Sequence, residues 1–512
     1  MTGNPLRLAS WAHGMHLRIV FKLLGLILLT VMGAMLLCVI LALVEAVRGV
    51  ETHDLGPLAL SMLVTGLAGG AAWWYGRGAD PRELLRKEAL AVVGLGWFFA
   101  AVFGSLPLHW GETDLSAVES LFESTSGFTT TGATVIEDLD QISAPLLLWR
   151  SLSQWIGGLG ILALIVSLLS SVGASSRSLF SGESSLNLAH SPLGRVKDLT
   201  LHLWRLYFAL TLTAWIFLWI TGLCLPDVQL SLFHALLYAL TAVATGGFAP
   251  HDASVGHFDS VAIEVVLCLF MILSSLNMVF LLNLAFRQFD KRAGQTEAIA
   301  FLVLIAAGIC LVWLDFSIRG IATPEGIFRE VFFPILSTAT TTGFTHQDYD
   351  QWPLFSKVIL IALILVGGCS GSTSGGLKVI RVFLTLRFLR QEITRTFRPQ
   401  RVFVTRIDGN AIGKSTQSDI FSFLAFVCLI LLSSTLFLTL IDPAATDLTT
   451  AGSTVLSSFF NIGPAFGNVG PTKNFASYHE GSLLFLSFLM LLGRLEIFAV
   501  VALFSRHLWS RY

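Results

Sequence analysis

Ten mostly apolar runs of about 20 residues or more recur along the chain: 19–46, 57–76, 88–108, 145–170, 201–223, 259–285, 297–318, 355–386, 417–441 and 481–504. A helix that crosses a bilayer needs roughly 20 such residues, so the pattern predicts ten spans. The first run is too long for a signal-peptide core and lacks an A-x-A cleavage site, so a retained helix is expected. Four moderately apolar segments lie between later pairs, at 115–131, 229–245, 325–342 and 446–462. They are too short to cross and read as re-entrant or interfacial. From residue 88 onward the order is therefore span, short segment, span, four times over.

The short segments end alike: "TSGFTTTGAT" (125–134), "TAVATGGFAP" (241–250), "STATTTGFTH" (337–346) and "SSFFNIGPAF" (457–466). Aligned, they put Gly132, Gly246, Gly343 and Gly463 in one column, preceded by Thr131, Thr245, Thr342 and Ile462. A single Thr-Gly pair is ordinary loop punctuation; four at the same topological place are a repeat. Their starts carry helix caps. Ser116 with Glu119 fits a capping box. Asp227 suits the second segment, Thr323 with Pro324 the third, and Thr446 or Asp447 the fourth. Each is then a short helix whose C-terminal end, partially negative, points toward the membrane centre. Four such ends favour a cation on a common axis. The glycine turns that follow let backbone carbonyls replace a cation's hydration shell.

Composition agrees. Of 512 residues, 54% are hydrophobic and 13% charged, against about 25% charged in soluble domains. The net charge of −1 gives no reason to expect nucleic acid. The six cysteines (38, 224, 268, 310, 369 and 428) show no metal spacing and read as small core residues. A membrane enzyme would need converging His, Asp or Glu at depth, and the 12 histidines lie mostly near span ends. Basic loops at 76–87, 194–198, 286–294 and 387–401 and the basic C-terminus are expected in the cytoplasm. The acidic loops at 111–119, 135–143, 345–352 and 440–447 are then outside, with both termini inside.

"GGCSGSTSGG" (367–376) interrupts the run 355–386. It is not a phosphate loop, because Leu377 stands where that motif needs Lys. A packing kink and a mobile plug beneath the glycines remain as readings. Arg494 lies inside the last run, where a charge is costly and commonly functional. Glu496, two residues on, faces elsewhere on a helix. A bridge to Glu496 or to another helix and a contact with the interrupting loop are the alternatives. The arginines at 387, 390, 395, 398 and 401 lack the regular spacing of a voltage sensor. They read as a lipid-phosphate anchor or a docking surface.

With the four glycine strings, "WRSLSQWIGGLGI" (149–161) and "GGCSGSTSGGLK", the chain resembles the membrane subunit of the bacterial Trk/Ktr potassium-uptake systems, relatives of the fungal Trk and plant HKT transporters. The resemblance covers about 88–505. The two extra N-terminal spans are similar to the TrkH branch. It implies an all-α polytopic membrane protein with four pseudo-symmetric span–pore-helix–span repeats around one pore. The expected units are 1–87, 88–175, 195–290, 295–400 and 412–512. It further implies that K+ is the transported ion and that no organic cofactor is bound. The filter would be Thr130, Thr131, Gly132, Ala244, Thr245, Gly246, Thr341, Thr342, Gly343, Asn461, Ile462 and Gly463, acting mainly through backbone carbonyls. The fourth string departs from Thr-Gly, as it does in the family. Sodium-selective plant relatives carry Ser at the first glycine; Gly132 favours potassium. The implied gate is Gly367, Gly368, Gly371, Ser372, Thr373, Ser374, Gly375 and Gly376 with Lys378 and Arg494. Lys378 is either a second pin or a cytosolic anchor. A bacterial inner-membrane homodimer, opened by a cytosolic TrkA-like nucleotide-binding subunit, completes the expectation. An ion-coupled symporter with discontinuous helices is the alternative.

Overall fold

The computed structural model describes residues 16–49, 53–80, 86–171, 196–225, 228, 230–287, 293–400, 404–445, 447–495, 497 and 500. The N-terminal pair is α1 (Leu17–Val47) and α2 (Leu55–Gly76). They pack through small residues: a Cβ on Gly25 would lie 2.7 Å from the Gly69 carbonyl oxygen. Next come α3 (Arg86–Gly104), α4 (Leu106–Trp110), the short α5 (Ala117–Phe128) and α6 (Ala144–Ser171). Then follow α7 (Val196–Cys224), the short α8 (Leu232–Val243), α9 (Val261–Ser275) and α10 (Met278–Ala285). The third series is α11 (Gln295–Arg319), a π turn at Phe328–Phe332, α12 (Phe333–Ala339), α13 (Leu354–Val366) and α14 (Val379–Phe397). The last is α15 (Lys414–Ile441), α16 (Leu448–Phe460) and α17 (Glu480–Arg494). Among the described residues the only strands are β1 (Arg406–Ile407) and β2 (Asn410–Ala411), an antiparallel pair.

Six helical stretches are long and apolar enough to cross a membrane, and the bent α9–α10 pair makes a seventh. α15 shows why they need lipid. Leu429, Leu432, Leu436 and Leu440 recur every three or four residues and are between 62% and 82% exposed. An apolar stripe of that kind is stable only against hydrocarbon or another apolar surface.

Two expected caps are present. Ser116 and Glu119 form the reciprocal box on α5, at 3.3 and 2.8 Å. Asp447 caps α16, accepting from the Thr450 N–H at 3.0 Å; Thr446 lies outside the described residues. On α8 the cap is Ser231, accepting from the His234 N–H at 3.0 Å; Asp227 also lies outside the described residues. The third segment departs from expectation. It opens in the π turn and not at Pro324, and the Glu325 N–H is satisfied by the Glu330 carboxylate at 2.9 Å. A carboxylate reaching back one turn does the work expected of Thr323.

The interrupted run 355–386 is not alone. α9 and α10 meet at a 103° bend. Asn277 sits at that bend and caps α10, accepting from the Val279 and Phe280 N–H groups at 2.9 and 3.3 Å. α17 stops at Arg494, and Ile497 has φ +61°. The first break carries neither glycine nor proline; at the second, Gly493 lies against Phe459, where a Cβ would be 1.7 Å from the carbonyl oxygen.

Candidate functional site

The four short helices end in one backbone motif. After α5, α8, α12 and α16 a residue adopts left-handed φ: Thr130 (53°), Thr245 (52°), Thr341 (56°) and Asn461 (56°). Two residues later stands a glycine with φ between 79° and 93°: Gly132, Gly247, Gly343 and Gly463. The residue between donates its N–H five positions back. Thr131 bonds the Ser126 carbonyl, Gly246 that of Thr241, Thr342 that of Ser337 and Ile462 that of Ser457, at 2.8–3.1 Å. The structure therefore shifts the second segment by one residue. Gly247, not Gly246, matches Gly132, Gly343 and Gly463. Thr245 matches Thr130, and Ala244 falls at the helix end. "TGG" let either glycine follow the threonine; only the turn's hydrogen bond separates them.

These segments close on one another. A Cβ on Gly132 would lie 2.2 Å from the Gly246 carbonyl oxygen, one on Gly247 2.0 Å from that of Thr342, and one on Gly343 2.1 Å from that of Ile462. One on Gly463 would lie 2.7 Å from that of Thr131, which returns to the start. The cycle is 1 to 2 to 3 to 4 to 1. All four glycines line a cavity of about 130 Å³ on one side of this ring. Carbonyl oxygens and helix C-termini concentrate negative potential there, which suits a cation stripped of water.

A polar scaffold fixes the ring. Gln154 on α6 donates from Nε2 to the Gly246 carbonyl at 2.7 Å and accepts from the Phe248 N–H at 3.1 Å. Arg150, one turn earlier, is 2% exposed and pairs with the buried Glu123 of α5 at 2.8 Å. It also donates to the Ala249 carbonyl at 3.3 Å and lies 4.1 Å over the Phe248 ring. Glu123 accepts from the Val135 N–H at 3.0 Å. Asn461 donates to Thr131 Oγ1 at 2.9 Å, joining the fourth segment to the first. Sequence reasoning missed Glu123, Arg150, Gln154 and Gly247. The available signal was Arg150 and Gln154 four apart on one helical face of an apolar run.

Glu123→Ala leaves the Arg150 guanidinium buried without its counter-charge, at a cost of about 3–5 kcal/mol. The expected result is a clearly lower Tm in detergent, with partial recovery in Glu123→Leu/Arg150→Met. An unchanged Tm for the single variant would count against this account.

On the other side of the ring lies the segment 367–378. It is linker-like in composition but tightly held. The Cys369 N–H donates to the Ser275 carbonyl at 3.0 Å, and Asn277 Nδ2 to that of Ser370 at 2.7 Å. Glu297 accepts from the Ser370 N–H at 2.6 Å. The broken ends of α9 and α10 thus satisfy the polar groups that the second break exposes. Above it, Gly375 N–H donates to Thr341 Oγ1 at 2.7 Å, and Thr245 Oγ1 to Thr373 Oγ1 at 3.2 Å. A Cβ on Gly375 would lie 2.0 Å from the Phe460 carbonyl oxygen. The segment thus sits directly beneath three of the four ring segments. Gly367, Gly371 and Gly376 take positive φ at its turns. Gly368 packs on Ser374, and the Ser372 hydroxyl bonds the Cys369 carbonyl.

Arg494 is 2% exposed and donates from Nη1 to the Thr373 carbonyl at 2.8 Å. Its Nε and Nη2 are buried with no hydrogen-bond partner among the described residues. Glu496 lies outside those residues. Lys378 is 8% exposed and donates to the Ser374 carbonyl. It is therefore a second pin on the segment and not an anchor in bulk water. On α14, Arg387 donates to the Arg406 carbonyl and Arg395 pairs with Glu392, while Arg401 lies outside the described residues.

Comparison with known proteins places this geometry. The family model TrkH, described as cation transport protein, matches residues 60–511. The chain is 33% identical to the Trk system potassium uptake protein TrkH of Halomonas elongata, over 97% of this chain and all of that one. It is 31% identical to the Salmonella typhimurium protein of the same name, with the same coverage. The crystal structure of the potassium transporter TrkH from Vibrio parahaemolyticus superposes with TM-score 0.83 at 28% identity, covering 97% of this chain and 100% of that one. These relatives are transport proteins and not enzymes, and with the apolar helices they make this a multi-pass membrane protein. The chain belongs to the TrkH family of cation transport proteins.

Proposed function

We propose that this chain takes up potassium through the four-segment ring, and that segment 367–378 with Arg494 is its gate. The single observation that carries the reading is the closed cycle of glycines against neighbouring carbonyls. Such a ring presents oxygen donors at one level, the requirement for replacing a monovalent cation's hydration shell. The filter is then Thr130–Gly132, Thr245–Gly247, Thr341–Gly343 and Asn461–Gly463. The surrounding helices are four pseudo-symmetric repeats, 88–175, 195–290, 295–400 and 412–512, preceded by two added helices in 1–87. In this reading the segment lying under the ring is the closed arrangement. K+ is cargo and not a resident cofactor. In this reading the chain is a homodimer in a bacterial inner membrane with both termini cytoplasmic. A TrkA-like cytosolic subunit acts on the basic α14 region to withdraw the segment. The names of the relatives as potassium uptake proteins support the ion assignment.

The test is rubidium uptake in cells lacking their own potassium-uptake systems, with and without a TrkA-like subunit. Uptake is expected in both, and faster with the subunit. Failure of membrane-inserted protein to carry rubidium in either condition overturns the reading. The 103° break between α9 and α10 favours a second reading, a coupled symporter, because such transporters bind their cargo at broken helices. Flux at a fixed ratio to sodium or protons would select it over the pore.

A further inference from the structure

The loops that leave the ring carry a cluster with no role in the scaffold above. Asp140 lies between α5 and α6; His251 and His257 lie between α8 and α9. Asp140 Oδ1 is 2.7 Å from His251 Nδ1. The His251 and His257 rings stack at 3.6 Å with an interplanar angle of 4°, and His234 meets His251 edge-on at 4.9 Å. One donor atom from each of Asp140, His251 and His257 falls within 4.8 Å of the others. His251 is 12% exposed at its side chain, and its Nε2 is buried without a hydrogen-bond partner among the described residues. A buried ring nitrogen left unpaired is costly unless something binds it. His251 and the adjacent Asp252 also line the cavity that holds the four ring glycines.

Two imidazoles and a carboxylate are the donor set of a zinc-type ion, with the fourth tetrahedral place left for water. Alkali and alkaline-earth ions take oxygen ligands, so this cluster does not read as a stage in the potassium path. Donors on a tetrahedral zinc ion lie about 3.4 Å apart, from metal–nitrogen bonds of about 2.1 Å. Atoms already within 4.8 Å reach that spacing by side-chain rotation alone. The exposed His257 is free to turn out of the stack, which it must do for both rings to point at one ion. Asp140 is bonded to His251 Nδ1 and leaves that bond to ligate an ion taken by Nε2.

We propose that Asp140, His251 and His257 form a binding site for a first-row divalent ion such as Zn2+ at the mouth of the cavity, and that an ion held there slows cation entry. Two added positive charges beside a narrow opening oppose the approach of a monovalent cation. The slowing rests on the conduction reading above; the binding does not. The experiment uses the full chain, purified and reconstituted, with Zn2+ itself as the probe. Calorimetry should show one site per chain, weakened at least tenfold in His257→Ala and Asp140→Asn, both at exposed residues. Rubidium flux into the same vesicles should fall several-fold with micromolar Zn2+ at one membrane face and stay unaffected in His257→Ala. Absent zinc binding, or binding unchanged in both variants, overturns the site. Binding without any change in flux overturns the slowing. Vesicles with no rubidium flux even before zinc would sink the conduction reading instead, and the calorimetry then decides the site by itself.

Discussion

Arg494→Ala is expected to raise rubidium flux in the absence of any regulatory subunit by at least tenfold, in protein that still reaches the membrane. Two effects of the substitution point the same way. It removes the bond to the Thr373 carbonyl, a charged hydrogen bond of the kind that contributes about 1.5–3 kcal/mol. Each 1.4 kcal/mol shifts the closed-to-open ratio tenfold. It also removes a positive charge from beneath the ring, where in the proposed pore it would repel the passing ion. Arg494→Lys separates the effects, because it keeps the charge but loses the forked reach to Thr373. Its flux should fall between wild type and alanine. Deleting 368–375 should exceed both, since it also removes the contacts to Thr341 and Thr245. Flux at or below wild type in the alanine variant would assign Arg494 a packing role.

The second large effect separates two neighbouring glycines. Gly247→Ser should lower discrimination of potassium over sodium at least tenfold, as should Gly132→Ser. At both positions the backbone holds φ near +80°, which side chains rarely adopt. At both, the new Cβ would press on a carbonyl of the next segment, and a backbone carbonyl cannot swing aside. Gly246→Ala should be far milder. Its φ is unexceptional, and its Cβ would meet only the end of the Gln154 side chain, at 2.4 Å. Equal damage from Gly246→Ala and Gly247→Ser in a rubidium-against-sodium flux assay would return the ring to the register expected from the sequence.

That one-residue shift shows where sequence reading ends. Seven of the ten expected spans, counting the bent α9–α10 pair, and the Ser116 and Asp447 caps follow from local hydrophobicity and local hydrogen bonding, so they are legible in the chain itself. The break at 367–376 is legible because glycine and serine mark it. The break at Leu276–Asn277 is not, because a single asparagine within an apolar run caps a new helix there without punctuation. The second ring glycine depends on which N–H returns to Thr241, and that is fixed by neighbours from three other segments. Lys378 read equally as a pin or an anchor because it borders an arginine-rich helix; its burial and its bond to the Ser374 carbonyl appear only in the fold. Asp140 lies 111 residues before His251 and its near neighbour His257, and only the meeting of two loops makes them one cluster.

The ring closes through a contact between Gly463 and Thr131, which belong to the last and the first of the four segments. The same seam carries the bond from Phe475 N–H to the Thr134 carbonyl at 2.8 Å. A nascent chain inserted segment by segment therefore holds three-quarters of a ring until its last quarter arrives. A product terminated before Asn461 lacks the fourth segment and cannot close the cycle. Closure of the cycle therefore comes late in the order of the polypeptide, with Arg494, part of the gate proposed above, following Gly463 by 31 residues.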